Sequence, residues 1–208
     1  MIPIQHLTLT VSDDLFSKFF QLLEQGFLVE SSVGCSLRDF ICSGLGLDEQ
    51  YLADRVQTIF LDHNPVDNID TARIHEGSTV ALSAAMPGLA GATLRKGGRF
   101  AAMRNQISCQ TGTACKSDRR TQLTVKFFNA VARELGESFY RKGLWLKGSS
   151  LQWFFSKYLQ GPLSGIQKVR INDREFDTYN FAGMTWCEAV FIQLLSDSGK
   201  SSDPSGVG

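Results

Sequence analysis

The chain has few of the residues from which metal and catalytic sites are usually built. Its 208 residues include three histidines and five cysteines, with no Cys-x-x-Cys pair and no histidine beside a cysteine. Structural zinc and iron–sulfur clusters need closely spaced ligand pairs, and the nearest approach to one is Cys109 with Cys115. That pair is the sole metal candidate, and we expect no cofactor. An odd number of cysteines without a disulfide pattern is typical of free thiols in a cytoplasmic protein.

Membrane and export signals are also missing from the sequence. No apolar run is long enough to span a membrane, and the N-terminus has no basic patch followed by an apolar stretch and a small-residue cleavage site. With 43% hydrophobic and 20% charged residues, the chain has the composition of a soluble globular protein. We therefore expect a cytoplasmic protein that does not bind membranes.

The chain has no excess charge of either sign, since 21 basic and 21 acidic side chains balance. The balance hides an asymmetry. Residues 1–94 carry four Lys and Arg against twelve Asp and Glu, a net charge of −8, whereas residues 95–142 carry eleven against three, a net charge of +8. Such segments favour protein partners of complementary charge. The basic segment has few aromatic residues before Phe127, which argues against nucleic acid as the partner.

An internal repeat is the most informative feature that the sequence does contain. Segments of the first half return in the same order in the second half. The matched pairs are residues 9–11 with 123–125, 26–29 with 143–146, and 36–40 with 150–154. Repetition of this kind predicts two modules of about 90 residues, each large enough to bury a core of its own.

Each module is predicted to combine strands with helices. Alternating apolar residues indicate strands, Ser12 and Ser36 are suitable N-cap residues for helices, and Gly26 ends the first helix. Residues 63–65 are predicted to form a turn. The predicted strands are 8–11, 27–29, 56–61, 79–83, 123–128, 144–147, 169–171 and 189–194, and the predicted helices are 13–25, 37–43, 129–140 and 150–159.

The tryptophans are confined to the second module. Trp145, Trp153 and Trp186 all lie there, together with several phenylalanines. We interpret these large rings as core residues, because burial of an aromatic side chain removes much apolar area from water. The alternative is an aromatic binding surface.

The order of elements and several residues resemble the β-grasp sulfur carriers, namely the small subunit of molybdopterin synthase and the thiamine-pathway carrier, which share the ubiquitin-like fold. Residues 125–136 look like the first strand and helix of such carriers, in which the helix ends near a glycine. Residues 61–66 followed by 76–82 look like their turn into the final strand. The resemblance implies a protein-interaction module linked to sulfur-carrier pathways.

In that family the working part is a flexible C-terminal Gly-Gly whose carboxylate is activated. The segment 94–98 is similar to a ubiquitin tail, so the resemblance implies Gly97 and Gly98 as a carrier tail if the chain is cleaved after Gly98. Because 110 residues follow Gly98, we favour a hairpin turn at Gly97 and Gly98 between strands at 92–94 and 100–103. The nearby candidates for a turn or an interaction site are Pro87, Gly88 and Gly91.

A third hypothesis is a small cysteine-dependent or metal-binding enzyme. Cys35 and Cys42 are its candidate reactive thiols, because a histidine distant in sequence can still activate a thiol in the folded protein. No catalytic motif accompanies them. The function that we favour is therefore a non-catalytic, ubiquitin-like module that binds proteins.

These observations predict one architecture. It is an α+β protein of two tandem β-grasp modules, with mixed sheets and helices packed on one face. The predicted divisions are an acidic module at 1–94, a basic connector with the hairpin at 95–121, a second module at 122–195 and a flexible tail at 196–208.

Overall fold

The computed structural model describes residues 4–85, 88–96, 119–158, 165–176 and 185–196. Within these ranges the protein has the predicted α+β class, with helices and mixed parallel and antiparallel strand pairing. The chain divides into two compact units. The terminal unit comprises Met1–Phe20 and Ser138–Gly208, and the central unit comprises Gln21–Glu137. One boundary lies in the helix Asp13–Gln25 and the other in the helix Asn129–Lys142. These two helices are equivalent elements of the repeat.

Seventeen elements of regular structure lie in the described ranges. The strands are β1 (Ile4–Val11), β2 (Phe27–Ser32), β3 (Thr58–Leu61), β4 (Asn64–Pro65), β5 (Thr79–Ser83), β6 (Arg120–Phe128), β7 (Leu144–Lys147), β8 (Ile166–Ile171), β9 (Arg174–Phe176) and β10 (Trp186–Ser196). The helices are α1 (Asp13–Gln25), α2 (Leu37–Asp39), α3 (Glu49–Asp54), α4 (Gly88–Leu94), α5 (Asn129–Lys142) and α6 (Gly148–Tyr158), and a π-helical turn (Phe40–Gly44) continues α2.

Both units arrange five strands with the same pattern of directions. In the terminal unit the order is β7-β10-β1-β8-β9, where β10 and β1 are parallel and the other pairs are antiparallel. In the central unit the order is β2-β6-β5-β3-β4, where β6 and β5 are parallel. Each unit therefore has a parallel pair inside its sheet, and in both units that pair joins strands from the two halves of the sequence.

The core of the terminal unit lies on one face of its sheet. On β1, Leu7 and Leu9 are fully buried while the intervening Thr8 is partly exposed, as a strand with one covered face requires. Helix α6 packs against β10 and β7. Phe19 of α1 lies with its ring centroid 4.4 Å from that of Phe154 on α6, so the helices meet over this face.

The core of the central unit is built from paired apolar residues on neighbouring strands. Val80 and Leu82 of β5 face Val125 and Phe127 of β6 in register, and all four are fully buried. Phe27 packs with its ring centroid 5.0 Å from that of Phe127. Burial of such side chains contributes about 1.5–3 kcal/mol each to folding.

The order of elements repeats along the chain. Residues 120–196 run strand, helix, strand, helix, and then three strands, and residues 4–83 follow the same order except that the π-helical turn and α3 come after α2. Gly26 and Gly143 occupy equivalent places between helix and strand, with φ of 122° and 89°. A side chain is strained at such angles, so both positions favour glycine.

Most predicted elements are confirmed, with three corrections. Residues 92–94 were expected to be a hairpin strand but belong to α4, and Gly91 lies inside this helix rather than in a turn. The predicted turn at 63–65 lies one residue earlier, at Asp62 and His63, which both have positive φ as a two-residue hairpin demands. The sequence prediction also missed α3 and β9.

One finding bears on membranes. No helix within the described residues combines the length and the apolar character needed to cross a bilayer.

Candidate protein-binding face

The terminal unit's sheet leaves one face exposed. Side chains that alternate with the buried core residues of β1, β7, β8 and β10 point away from the helices. Trp145 is 36% exposed and Leu195 is 38% exposed, which is high for large apolar residues on a sheet. We call this surface the open face, and its defining side chains are His6, Trp145, Lys147, Lys168, Phe191 and Leu195.

Three rings form a cluster in the middle of the open face, each in contact with the other two. His6 on β1 is the register partner of Phe191 on β10, which is the register partner of Trp145 on β7. The ring centroids are 5.6 Å apart for His6 and Phe191, 5.5 Å for Trp145 and Phe191, and 5.7 Å for His6 and Trp145. The interplanar angles of 45–71° are those of edge-to-face and tilted contacts, which aromatic pairs prefer. The three rings thus make one compact aromatic cluster.

Gly143 creates the space that the Phe191 ring occupies. A Cβ atom at Gly143 would lie 2.0 Å from Cζ of Phe191, which is far inside van der Waals contact. The neighbouring Gln193 donates a hydrogen bond of 2.8 Å from its amide to the carbonyl of Arg141. Together these features hold β10 beside the start of β7 and direct the Phe191 ring toward Trp145.

Asn172 fixes the backbone that carries the His6 ring of the aromatic cluster. It lies in the turn between β8 and β9 and has a positive φ of 47°. Its side-chain oxygen accepts hydrogen bonds from the backbone N–H groups of Gln5 and His6, at 3.1 and 3.0 Å, and its own N–H donates to the His6 carbonyl at 2.9 Å. His6 is therefore held by three hydrogen bonds that involve or adjoin its backbone.

Basic side chains flank the aromatic cluster. Lys147 follows Trp145 by two residues on β7, and Lys168 lies on β8 as the register partner of Thr10. Neither lysine forms an ion pair with another described residue. Arg170, also on this face, lies 4.0 Å from a carboxylate oxygen of Asp173. Two cations on the open face are consequently available to a partner.

Trp145 and Trp153 correct the expectation that the large rings form the core. Both are exposed, Trp153 by 42% on α6, whereas Trp186 is half-buried and stacks on Phe155 with a centroid distance of 5.3 Å. The alternation in β7 carried the necessary signal, because the buried Leu144 and Leu146 place Trp145 on the opposite face. His6, Phe191 and Leu195 were not singled out from the sequence.

The two candidate thiols, Cys35 and Cys42, lie in different surroundings. Cys35 is buried and its sulfur lies 3.3 Å from the hydroxyl of Ser31. Burial, reinforced by the nearby Glu49 carboxylate, raises the pKa of the Cys42 thiol despite the opposing charge of Arg38. A raised pKa keeps the thiol protonated and lowers its nucleophilicity. No described histidine hydrogen-bonds to either sulfur.

The carrier-tail candidates Gly97 and Gly98 lie outside the described residues, as do Cys109 and Cys115. The described chain reaches Lys96, whose N–H donates to the carbonyl of Gln57 at 2.7 Å and whose ammonium donates to the carbonyl of Leu52 at 3.2 Å. Burial lowers the pKa of Lys96. The chain is therefore anchored immediately before the glycine pair.

The remaining candidates lie around the start of α4. Pro87 is outside the described residues. Gly88 is exposed and begins α4 with φ of 78°, and Gly91 is buried. Across the described ranges, no three His, Cys, Asp or Glu side chains converge as ligands of a metal ion would.

Comparisons with protein-family models, with curated proteins and with solved structures find no match to this chain. Inference about function therefore depends on the residues of the open face themselves.

Proposed function

We propose that this protein is a non-catalytic protein-interaction module on a β-grasp plan and that the open face is its binding surface. The observation that carries the proposal is the aromatic cluster of His6, Phe191 and Trp145, with Lys147 and Lys168 on the same face. Interfaces are enriched in aromatic residues at their centres and have polar rims. An exposed apolar patch that is rimmed by polar groups marks an interaction site.

Several features support the β-grasp part of the proposal. Each unit has a mixed sheet of five strands in the described residues, with a parallel pair at its interior. In the terminal unit α1 and α6 meet over one face of that sheet, where the rings of Phe19 and Phe154 are in contact. A covered face provides stability, and the opposite face stays available for binding.

The two alternative functions receive less support. A carrier tail would need a free end at Gly98, yet the backbone of Lys96, two residues earlier, is hydrogen-bonded to Gln57. A cysteine-dependent enzyme would need an activated thiol, yet the pKa of Cys42 is raised. A link to sulfur-carrier pathways stays a prediction from the resemblance.

Site-specific photo-cross-linking in the protein's own cells tests the proposal. The photoreactive residue p-benzoylphenylalanine replaces Trp145 on the open face in one variant and Trp153 on α6 in a matched control. Because both tryptophans are exposed, neither replacement removes a buried side chain, and both variants should fold. We expect a discrete protein adduct from position 145 and none of the same mass from position 153.

The outcomes separate the hypotheses. Identical adducts from both positions, or none from position 145, would contradict binding at the open face. Replacement of Cys35 and Cys42 by serine should leave the adduct at position 145 intact, since the proposal assigns no role to either thiol. Loss of the adduct in a folded Cys42→Ser variant would favour the enzyme hypothesis.

A further inference from the structure

We propose, on the basis of the proposed function, that the occupant of the open face is an extended acidic segment of a protein, with apolar side chains between its carboxylates. The inference follows from where the aromatic cluster, Lys147 and Lys168 lie relative to one another. It names the chemistry of the partner, which the proposed function leaves open.

The hydrophobic surface of the open face extends beyond the aromatic cluster. Leu195 lies on β10 four residues beyond Phe191, on the same face of the sheet, and is 38% exposed. Leucine cannot stack on a base, but it packs against aliphatic and aromatic side chains of a protein. Tryptophan is the residue most often found at the energetic centre of a protein interface, so Trp145 is the expected anchor.

The cations stand at opposite ends of this apolar surface. Lys147 is in register with Ala189, beside Phe191, whereas Lys168 is in register with Thr10, which is the register partner of Leu195. The separation is three strand spacings across the sheet and six residues along it. Those steps place the two Cα atoms about 24 Å apart, which an extended peptide of about seven residues spans.

Charge complementarity therefore selects the occupant. A segment with two carboxylates about seven residues apart can place one carboxylate beside each lysine. The apolar side chains between them then contact the aromatic cluster. Nucleic acid fits less well. It carries a charge at every nucleotide and binds through rings with free faces. This face instead offers two lysines without an ion pair among the described residues, and rings in edge and tilted contact with one another.

Selection from a random twelve-residue phage-displayed peptide library on the full-length protein tests the inference. We expect enriched sequences in which Asp or Glu residues flank Leu, Phe or Trp at this spacing. Synthetic peptides of those sequences should bind at least about tenfold more weakly to Trp145→Ala. The double variant Lys147→Glu/Lys168→Glu should bind these peptides about tenfold more weakly. The affinity of the wild type should also fall more steeply with added salt than that of the double variant.

Lys157→Glu is the matched charge control, because Lys157 lies on α6 over the Trp153 ring at 4.7 Å, and it should bind like the wild type. Enrichment of basic or uncharged sequences, no enrichment, or equal loss in the control would overturn the inference. The inference would also be overturned if a labelled twenty-nucleotide oligothymidine bound more tightly than the selected peptides. Self-association of the protein that Trp145→Ala removes would overturn it as well. If the cross-link at position 145 still captures a protein, the proposed function survives and only the acidic partner is wrong.

Discussion

The two units share a pattern of strands but differ in what lies on the second face of the sheet. Trp145 on β7 and Leu28 on β2 occupy equivalent places, two residues after Gly143 and Gly26. Trp145 is 36% exposed and faces Phe191, whereas Leu28 is 8% exposed and faces Thr124. The same position is thus an exposed ring in one unit and a buried aliphatic side chain in the other.

Further residues on the second face of the central unit follow Leu28. Thr58, Ala81 and Ser83 alternate with core residues and are nevertheless buried. Glu30 on β2 and Gln122 on β6, which lie on the same face, are exposed, so this second face is buried only in part. The difference teaches that equivalent strands of the repeat can differ in which side chains their second face exposes, with Trp145 and Leu195 exposed in the terminal unit.

The glycines at the start of β2 and β7 provide the largest expected effect. We expect Gly143→Ala to lower the free energy of unfolding by about 2–5 kcal/mol, because it combines positive-φ strain with a collision against the Phe191 ring. Gly26→Ala should cost less, since its nearest contact is the Thr124 methyl at 2.6 Å rather than a ring. Urea unfolding of both variants measures the difference, and an equal or reversed order would contradict this account.

The buried tyrosine of the terminal unit provides a smaller effect. The hydroxyl of Tyr140 is fully buried and donates to the Phe19 carbonyl at 2.7 Å, and the repeat places Leu23 at the equivalent position in the central unit. Tyr140→Phe should destabilise by about 1 kcal/mol. Tyr51→Phe is the control, because its hydroxyl donates at 2.8 Å to the solvent-accessible Glu134. Thermal unfolding should show a larger loss for Tyr140→Phe, and equal losses would refute the comparison.

The junctions between the parallel strands and their helices provide the smallest effect. In the terminal unit, Ser196 donates to the carboxylate of Asp13 at the start of α1, at 2.8 Å. In the central unit, Ser83 instead accepts from the amide of Asn129 at the start of α5, at 3.1 Å, and the first turn of α5 contains no acidic residue. Asn129→Asp would supply the missing carboxylate, and we expect it to stabilise the protein by about 0.5 kcal/mol.

The pH dependence of the Asn129→Asp gain checks its origin. The helix terminus and the serine hydroxyl favour the ionised carboxyl, so the folded-state pKa of the new aspartate should lie below its unfolded value. Stabilisation is then complete above the unfolded pKa of about 4 and is lost as the pH falls through the folded pKa. Unfolding temperatures of both proteins at pH 7 and pH 2.5 measure this. A gain that persists at pH 2.5 would exclude the charge as its cause.

Local signals explain why most elements were predictable. Ser36 accepts a hydrogen bond from the N–H of Asp39, as expected of an N-cap, and Gly26 follows the last residue of α1. The segment that became α4 lacks such signals, because Gly88 and Gly91 favour turns by intrinsic propensity. Its helix therefore depends on surroundings that a sequence window does not contain.

Nonlocal features explain why the open face was missed. β1 pairs with β10, whose residues lie about 180 positions later in the chain, and no pattern within either strand specifies that partner. The aromatic cluster of His6, Phe191 and Trp145 forms only when β1, β10 and β7 pair in the folded protein. We assigned Trp145 to the core because of its size, although the buried Leu144 and Leu146 put it on the opposite face of β7, and only the pairing shows which rings accompany it.

The shared parallel pairs also affect how this chain is made on the ribosome. β6 belongs between β2 and β5, yet about 45 residues separate the end of β5 from the end of β6. At about 5–20 residues per second, the earlier strands wait about 2–9 s for it. Among the described strands β1 waits longest, because its neighbours β8 and β10 follow it by more than 150 residues. The nascent polypeptide therefore exposes unpaired apolar strands, and aggregation threatens it most before synthesis ends.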